Sequence, residues 1–212
     1  MTATLIYCYD PMCSWCWGFR PTWIALQKAL AKRIDREELV IQPMLGGLAP
    51  DSDVPMPEAM RQKLEATWQH IASELGTEFN YEFWRSTEPR RSTYPANRAC
   101  LVARDKNLEV EMCHAIQQAY YLSAKNPSDL NVLADCAEQI GLNREGFLHS
   151  MNYVQQQALL EKEVESARNI GLNSFPSLAL LTGDELLHIP INYQDHKPML
   201  ALIEQRLKQV ND

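Results

Sequence analysis

The chain lacks a basic surplus: Lys and Arg number 20 against 27 Asp and Glu, a formal net charge of −7. Nucleic-acid binding and anionic-membrane binding normally leave a positive footprint, so neither partner class is expected. No stretch approaches the ~20 consecutive apolar residues of a membrane-spanning helix. After Met1 there is no basic region, and the run Leu5-Ile6-Tyr7-Cys8-Tyr9 falls short of the roughly 7–15 apolar residues of a secretory signal. A reducing cytoplasm is therefore the expected setting. Cysteine is sparse as well. Six in 212 residues do not make a disulfide scaffold, and the 46% hydrophobic share fills a core without such staples. Internal repeats and low-complexity linkers are missing, and nothing specifies an oligomeric state.

What is present is an ordered series of local patterns. Residues 4–9 are β-branched and aromatic and read as a buried strand ended by Asp10-Pro11. A helical pattern opens near Ser14 and carries Trp23, Leu26, Leu30 and Ile34 on one face. A second strand is expected over Leu39–Leu45, closed by Gly46-Gly47. From about 56 to 170 strand signals vanish. Helix faces are traced by Met60, Leu64, Trp68, Ile71 and Leu75; by Ala96, Ala99, Cys100 and Ala103; and by Cys113, Ile116 and Tyr120. Leu133, Cys136, Ala137 and Ile140 trace another, stopped by Gly141. A long helix is expected from about Val154 to Ile170, giving four to six helices in this stretch. Strands at Ser177–Thr182 and Glu185–Pro190 follow, joined at Gly183-Asp184. A last helix over about His196–Val210 would bury Met199, Ile203, Leu207 and Val210.

The order β-α-β, helical insert, β-β-α defines an α/β chain with a thioredoxin-like fold. Its expected divisions are 1–50 with 171–212 for the thioredoxin-like part and 51–170 for the all-helical insert.

Cys13 and Cys16 form a Cys-x-x-Cys at the first strand-to-helix turn. Disulfide exchange needs a thiolate, and a free cysteine with a pKa of ~8.5 is mostly protonated at neutral pH. Unpaired N–H groups and the dipole at a helix N-terminus stabilise an anion. Cys13 falls there and is the expected nucleophile; Cys16, about one turn on, is the resolving thiol. A zinc site would need four ligands, and no second Cys-x-x-Cys or His-x-x-x-His accompanies the first. Ser14 and Trp15 lie between the cysteines and should tune the thiolate and shape its surroundings. Trp15 fits either a substrate platform or packing, Trp17 packing. Asp10 reads as a turn residue ending the strand, with raising the pKa of Cys13 or accepting a proton as the minor reading.

The second constellation is Asn173-Ser174-Phe175-Pro176, just ahead of the late hairpin. In a thioredoxin-type fold this connection faces the dithiol, and Pro176 is expected to be cis. Backbone beside it is then free to pair with an extended substrate, which makes Phe175 and Pro176 substrate-binding candidates. Cys100, Cys113 and Cys136 sit on apolar helix faces as small hydrophobes, a second redox pair among them being the minor reading. Cys8 lies within the first strand. The run Ser92–Arg98 looks like a built loop-to-helix junction.

With Asp10-Pro11-Met12-Cys13-Ser14-Trp15-Cys16-Trp17-Gly18 and Phe175-Pro176 in hand, the chain resembles the DsbA-like family of thioredoxin-fold proteins. It looks closest to the cytoplasmic, FrnE-like branch of predicted protein disulfide isomerases, across nearly its whole length. The resemblance implies Cys13 as attacking thiolate, Cys16 as resolving thiol and Pro176 as the cis-proline of the substrate-facing loop. Periplasmic members have an export signal and usually Pro-His between their cysteines. This chain has Ser14-Trp15, so their strongly oxidising character is not implied. The extra cysteine pair of some FrnE-like relatives is not seen.

The leading expectation is thiol–disulfide exchange with thiol- or disulfide-containing protein substrates. It calls for no bound cofactor, with glutathione as a candidate co-substrate. A second class is glutathione-dependent transfer or isomerisation, as in the kappa-class transferases and the 2-hydroxychromene-2-carboxylate isomerases. These share the architecture but typically place serine where Cys13 stands. A third is a non-catalytic redox sensor switched by the Cys13–Cys16 bond.

Overall fold

A computed structural model describes residues 2–209. Four strands, β1 (Ala3–Tyr9), β2 (Leu39–Leu45), β3 (Ser177–Thr182) and β4 (Glu185–Ile189), form one sheet in the order β2-β1-β3-β4. β1 and β2 run parallel, which requires a crossover, and α1 (Ser14–Asp35) supplies it. β3 is antiparallel to both β1 and β4. β3 and β4 are joined by the two-residue turn Gly183-Asp184, with Gly183 at φ 59°.

The register decides where the site forms. Cys8 lies opposite Met44 on β2 and Ser177 on β3. The exit of β1, the bend after β2 and the entry to β3 therefore share one edge of the sheet. Residues 10–13 and 173–176, far apart in sequence, are delivered to the same place.

Alternation along β1 sends side chains to two different layers. Leu5 joins Leu39, Leu178 and Leu180 against Phe19, Leu26 and Leu30 of α1 and Met199 and Ile203 of α9 (Lys197–Gln209). Ile6 and Cys8 turn the other way and pack with Met44, Ala179 and Leu172 against Ala167. Such fully buried leucines contribute about 1.5–3 kcal/mol each in apolar burial.

Between β2 and β3 lie α2 (Glu58–Leu75), α3 (Phe83–Ser86), α4 (Tyr94–Arg104) and α5 (Glu109–Gln117), the last continuing as a π-helical turn, Gln118–Leu122. Then come α6 (Leu130–Gln139), α7 (Arg144–Gln156) and α8 (Leu159–Asn169). Trp68 centres the insert's core, its ring stacked on Phe79 at 5.0 Å and edge-on to Tyr120 at 5.3 Å.

Three expectations change. The single helix expected over 154–170 is two helices, α7 and α8. They are broken at Gln157–Ala158, where Ala158 adopts φ 49°, and the described insert holds seven helices rather than four to six. Asn143 starts α7 by accepting a hydrogen bond from the Gly146 N–H at 2.9 Å. On α2 the expected apolar face is narrower: Trp68 and Ile71 are buried, while Met60 is 37% exposed. Met199, Ile203 and Leu207 of α9 are buried, and Val210 lies outside the described residues. Among the described residues no helix is long and apolar enough to cross a membrane.

Candidate functional site

Asp10-Pro11 stops β1, and three residues later the chain turns into α1 with Cys13 at the N-cap in an extended conformation (φ −80°, ψ 114°). The Cys13 N–H donates to the Asp10 carbonyl at 3.0 Å, fixing the turn. Ser14, Trp15 and Cys16 form the first turn of α1. Cys13 and Cys16 are free thiols, 7% and 1% exposed, so Cys13 is the one nearer the surface. Burial pushes the Cys16 thiol well above its ordinary range, and the adjoining Cys13 thiol pushes it further.

Opposite stands the loop before β3, where the Phe175–Pro176 peptide is cis and Pro176 is buried. The Cys13 thiol donates to the Phe175 carbonyl at 3.3 Å. Cys13, Ser14, Trp15 and Phe175 share the wall of a groove of about 320 Å³, together with Met12, Leu48, Leu64, Trp68, Arg91 and Tyr120. Trp15 is half-buried, tilted over Tyr193 at 4.9 Å and edge-on to His70 at 5.7 Å. Trp17 instead packs into the insert, stacked on Tyr121 at 5.5 Å, with its indole N–H on the Glu78 carbonyl. Phe175 fits only because residue 46 has no side chain: a Cβ at Gly46 would lie 1.8 Å from its ring.

Asp10 is more than a turn residue. It is completely buried, and its carboxylate gathers four donors. The Met12 N–H reaches one oxygen at 2.8 Å. The other accepts from the Leu48 N–H at 2.8 Å, the Thr93 hydroxyl at 2.7 Å and the Asn97 amide at 2.8 Å. Burial raises its pKa, and these donors pull it back toward the ionised form. One side chain thus ties the dithiol turn, the loop after β2 and the start of α4 together. The Ser92–Arg98 run is that junction, with Arg98 paired to Asp51 and Glu161. Tyr193 and His70 beside Trp15, and Arg91 in the groove wall, had no signal of their own in the sequence.

Of the remaining cysteines, Cys8, Cys100 and Cys136 are buried and Cys113 is half-buried. Burial pushes Cys8 up to about 12 and Cys136 up to about 11. Cys100 of α4 is raised by burial and next by its neighbour Cys113 of α5, which places these two side by side.

A dithiol opening the first helix of a thioredoxin fold, facing a proline loop, is the arrangement of thiol–disulfide oxidoreductases. The chain belongs to the DSBA-like thioredoxin domain family, which matches residues 4–190. Solved structures agree in fold. A proposed protein disulfide isomerase of Nitrosomonas europaea superposes with a TM-score of 0.83 at 22% identity, covering 99% of each chain. The cytosolic disulfide reductase DsbM of Pseudomonas aeruginosa gives 0.77 at 24% identity, over 97% of this chain and 99% of that one. DsbM has also been solved with glutathione. A 2-hydroxychromene-2-carboxylate isomerase shares the fold at a TM-score of 0.56 and 15% identity, over 98% of this chain and 97% of that one. In sequence, the chain is 26% identical over 193 residues to the ClpXP adapter protein SpxH of Bacillus subtilis, spanning 87% of this chain and 61% of that protein.

Proposed function

We propose that the chain exchanges disulfides through Cys13 and Cys16, with the Cys13-lined groove as its substrate site. The observation that supports this most is the Cys13 sulfur at the amino end of α1, 3.3 Å from the Phe175 carbonyl in the groove wall. A backbone carbonyl beside that sulfur gives an extended substrate something to pair with.

The chemistry follows from the two positions. The Cys13 thiolate attacks a substrate disulfide, forming a mixed disulfide and releasing one substrate thiolate. Cys16 then attacks the Cys13 sulfur, the Cys13–Cys16 bond forms, and the second substrate sulfur leaves. The protons of the two cysteines end on the two released thiols. Two electrons pass from the dithiol to the substrate. Two glutathione molecules, oxidised to one glutathione disulfide, return the dithiol. A reducing cytoplasm suits this direction, and the fold neighbour described as a cytosolic reductase supports it. The apolar groove, with Met12, Trp15, Leu48 and Leu64, suits disulfide-bearing protein segments.

The test is glutathione-driven reduction of insulin and of a small mixed disulfide. Cys13→Ser abolishes turnover under this proposal, and retained turnover contradicts it. A glutathione-dependent transferase or isomerase would instead bind glutathione by calorimetry with no dithiol turnover in the unmodified protein.

A further inference from the structure

The dithiol has a second side. Cys13 faces the groove, whereas Cys16 lines a separate cavity of about 340 Å³ between α1, the β1–β2 edge and α5. That volume lies within the ~300–1,000 Å³ range of small-molecule sites. One wall is aromatic and apolar: Tyr7 stacks on Trp23 at 4.4 Å, with Ile24, Ile41 and Pro43 alongside.

Three polar groups converge on this space without protein partners. Arg20, half-buried, makes no ion pair among the described residues. Gln117 is 3% exposed, and its side-chain amide makes no hydrogen bond among the described residues. The Nδ1 of His114 is buried and unpartnered. A buried polar atom is ordinarily satisfied, so the open His114 Nδ1, with the Arg20 and Gln117 side chains lining the same cavity, calls for a ligand. Burial and the nearby Arg20 charge hold the His114 imidazole below its ordinary pKa, which leaves Arg20 as the cation. The one carboxylate in the wall, Glu109, is already saturated. Arg104 holds it at 2.6 and 2.7 Å, and the Tyr9 hydroxyl donates to it at 2.9 Å. The unmet charge is therefore positive.

We propose that this cavity binds a small aromatic carboxylate, its acid group on Arg20 and Gln117 and its ring on the Tyr7–Trp23 wall. The occupant sits against Cys16 and Cys113, on the face of the dithiol that the groove does not use. Cys13 does not line this cavity, so Cys13→Ser leaves binding intact.

Calorimetry and ligand-observed NMR with 3-phenylpropionate and indole-3-acetate, beside the uncharged 3-phenylpropanamide, test the assignment on the full chain in its reduced form. The carboxylates bind saturably, about tenfold or more tighter than the amide, as expected for a charge-assisted contact. Arg20→Gln removes that preference. Val110→Trp, at an exposed position on the cavity lining, blocks all the probes. Saturating carboxylate also slows maleimide labelling of Cys113. The proposal fails if neither carboxylate binds, if acid and amide bind equally, or if binding survives Val110→Trp unchanged.

Discussion

The Cys13 thiol and the Phe175 carbonyl meet at 3.3 Å although 162 residues separate them in the chain. The contact is a product of strand register. β1 and β3 pair with Cys8 opposite Ser177, so the residue five beyond Cys8 and the residue two before Ser177 emerge at the same edge of the sheet. The dithiol and the proline loop are brought together by the sheet itself, and the insert closes the groove around them.

Cys16 should be silent to alkylation where Cys13 is not. Burial and the adjoining Cys13 raise its pKa, so it keeps its proton as the pH climbs past the ordinary thiol range and forms thiolate only above it. In the reduced protein, iodoacetamide between about pH 6 and 9 modifies Cys13 first, with Cys16 labelled only after unfolding. Peptide mass spectrometry reads the order. Equal labelling of both in the folded protein contradicts the assignment.

Asp10 should prove a stability residue as well as a positioning one. Both of its carboxylate oxygens only accept, so Asp10→Asn turns a donor toward a donor at one of them. A loss of about 1–3 kcal/mol is expected for that change, and a larger one for Asp10→Ala, which strands four donors. Urea unfolding measures both. A change below about 0.5 kcal/mol in Asp10→Ala would show that the junction does not depend on this carboxylate.

Gly46→Ala tests the fit of the proline loop. The added methyl meets the Phe175 ring, so either the ring or the loop must shift. Overpacking of this kind costs about 1–3 kcal/mol, and displacement of Phe175 from Cys13 should slow exchange more than it slows labelling of Cys13. Full exchange activity in Gly46→Ala would mean the loop position is not critical.

Much of this architecture was legible because its signals are local. The β-branched run before Cys13, the turn residues Asp10-Pro11 and Gly183-Asp184, and the apolar spacing of α1 and α9 each announce an element within a few residues. The break between α7 and α8 was not legible, since Ala158 is a good helix former and takes φ 49° only in its tertiary setting. Asp10 was underestimated for a related reason. Thr93 and Asn97, two of its donors, lie 83 and 87 residues away, and although the Ser92–Arg98 run stood out as a junction, spacing along the chain carries no trace of its pairing with Asp10. The Cys16-side cavity is likewise made by α1 and α5 meeting across β1, a juxtaposition that only the fold creates.

The most direct measurement is to incubate Cys16→Ser with a disulfide-bonded substrate and map the captured adduct by peptide mass spectrometry. A stable mixed disulfide on Cys13, absent from Cys13→Ser, is the predicted result. An adduct on another cysteine, or none while the unmodified protein still turns over, would contradict the account.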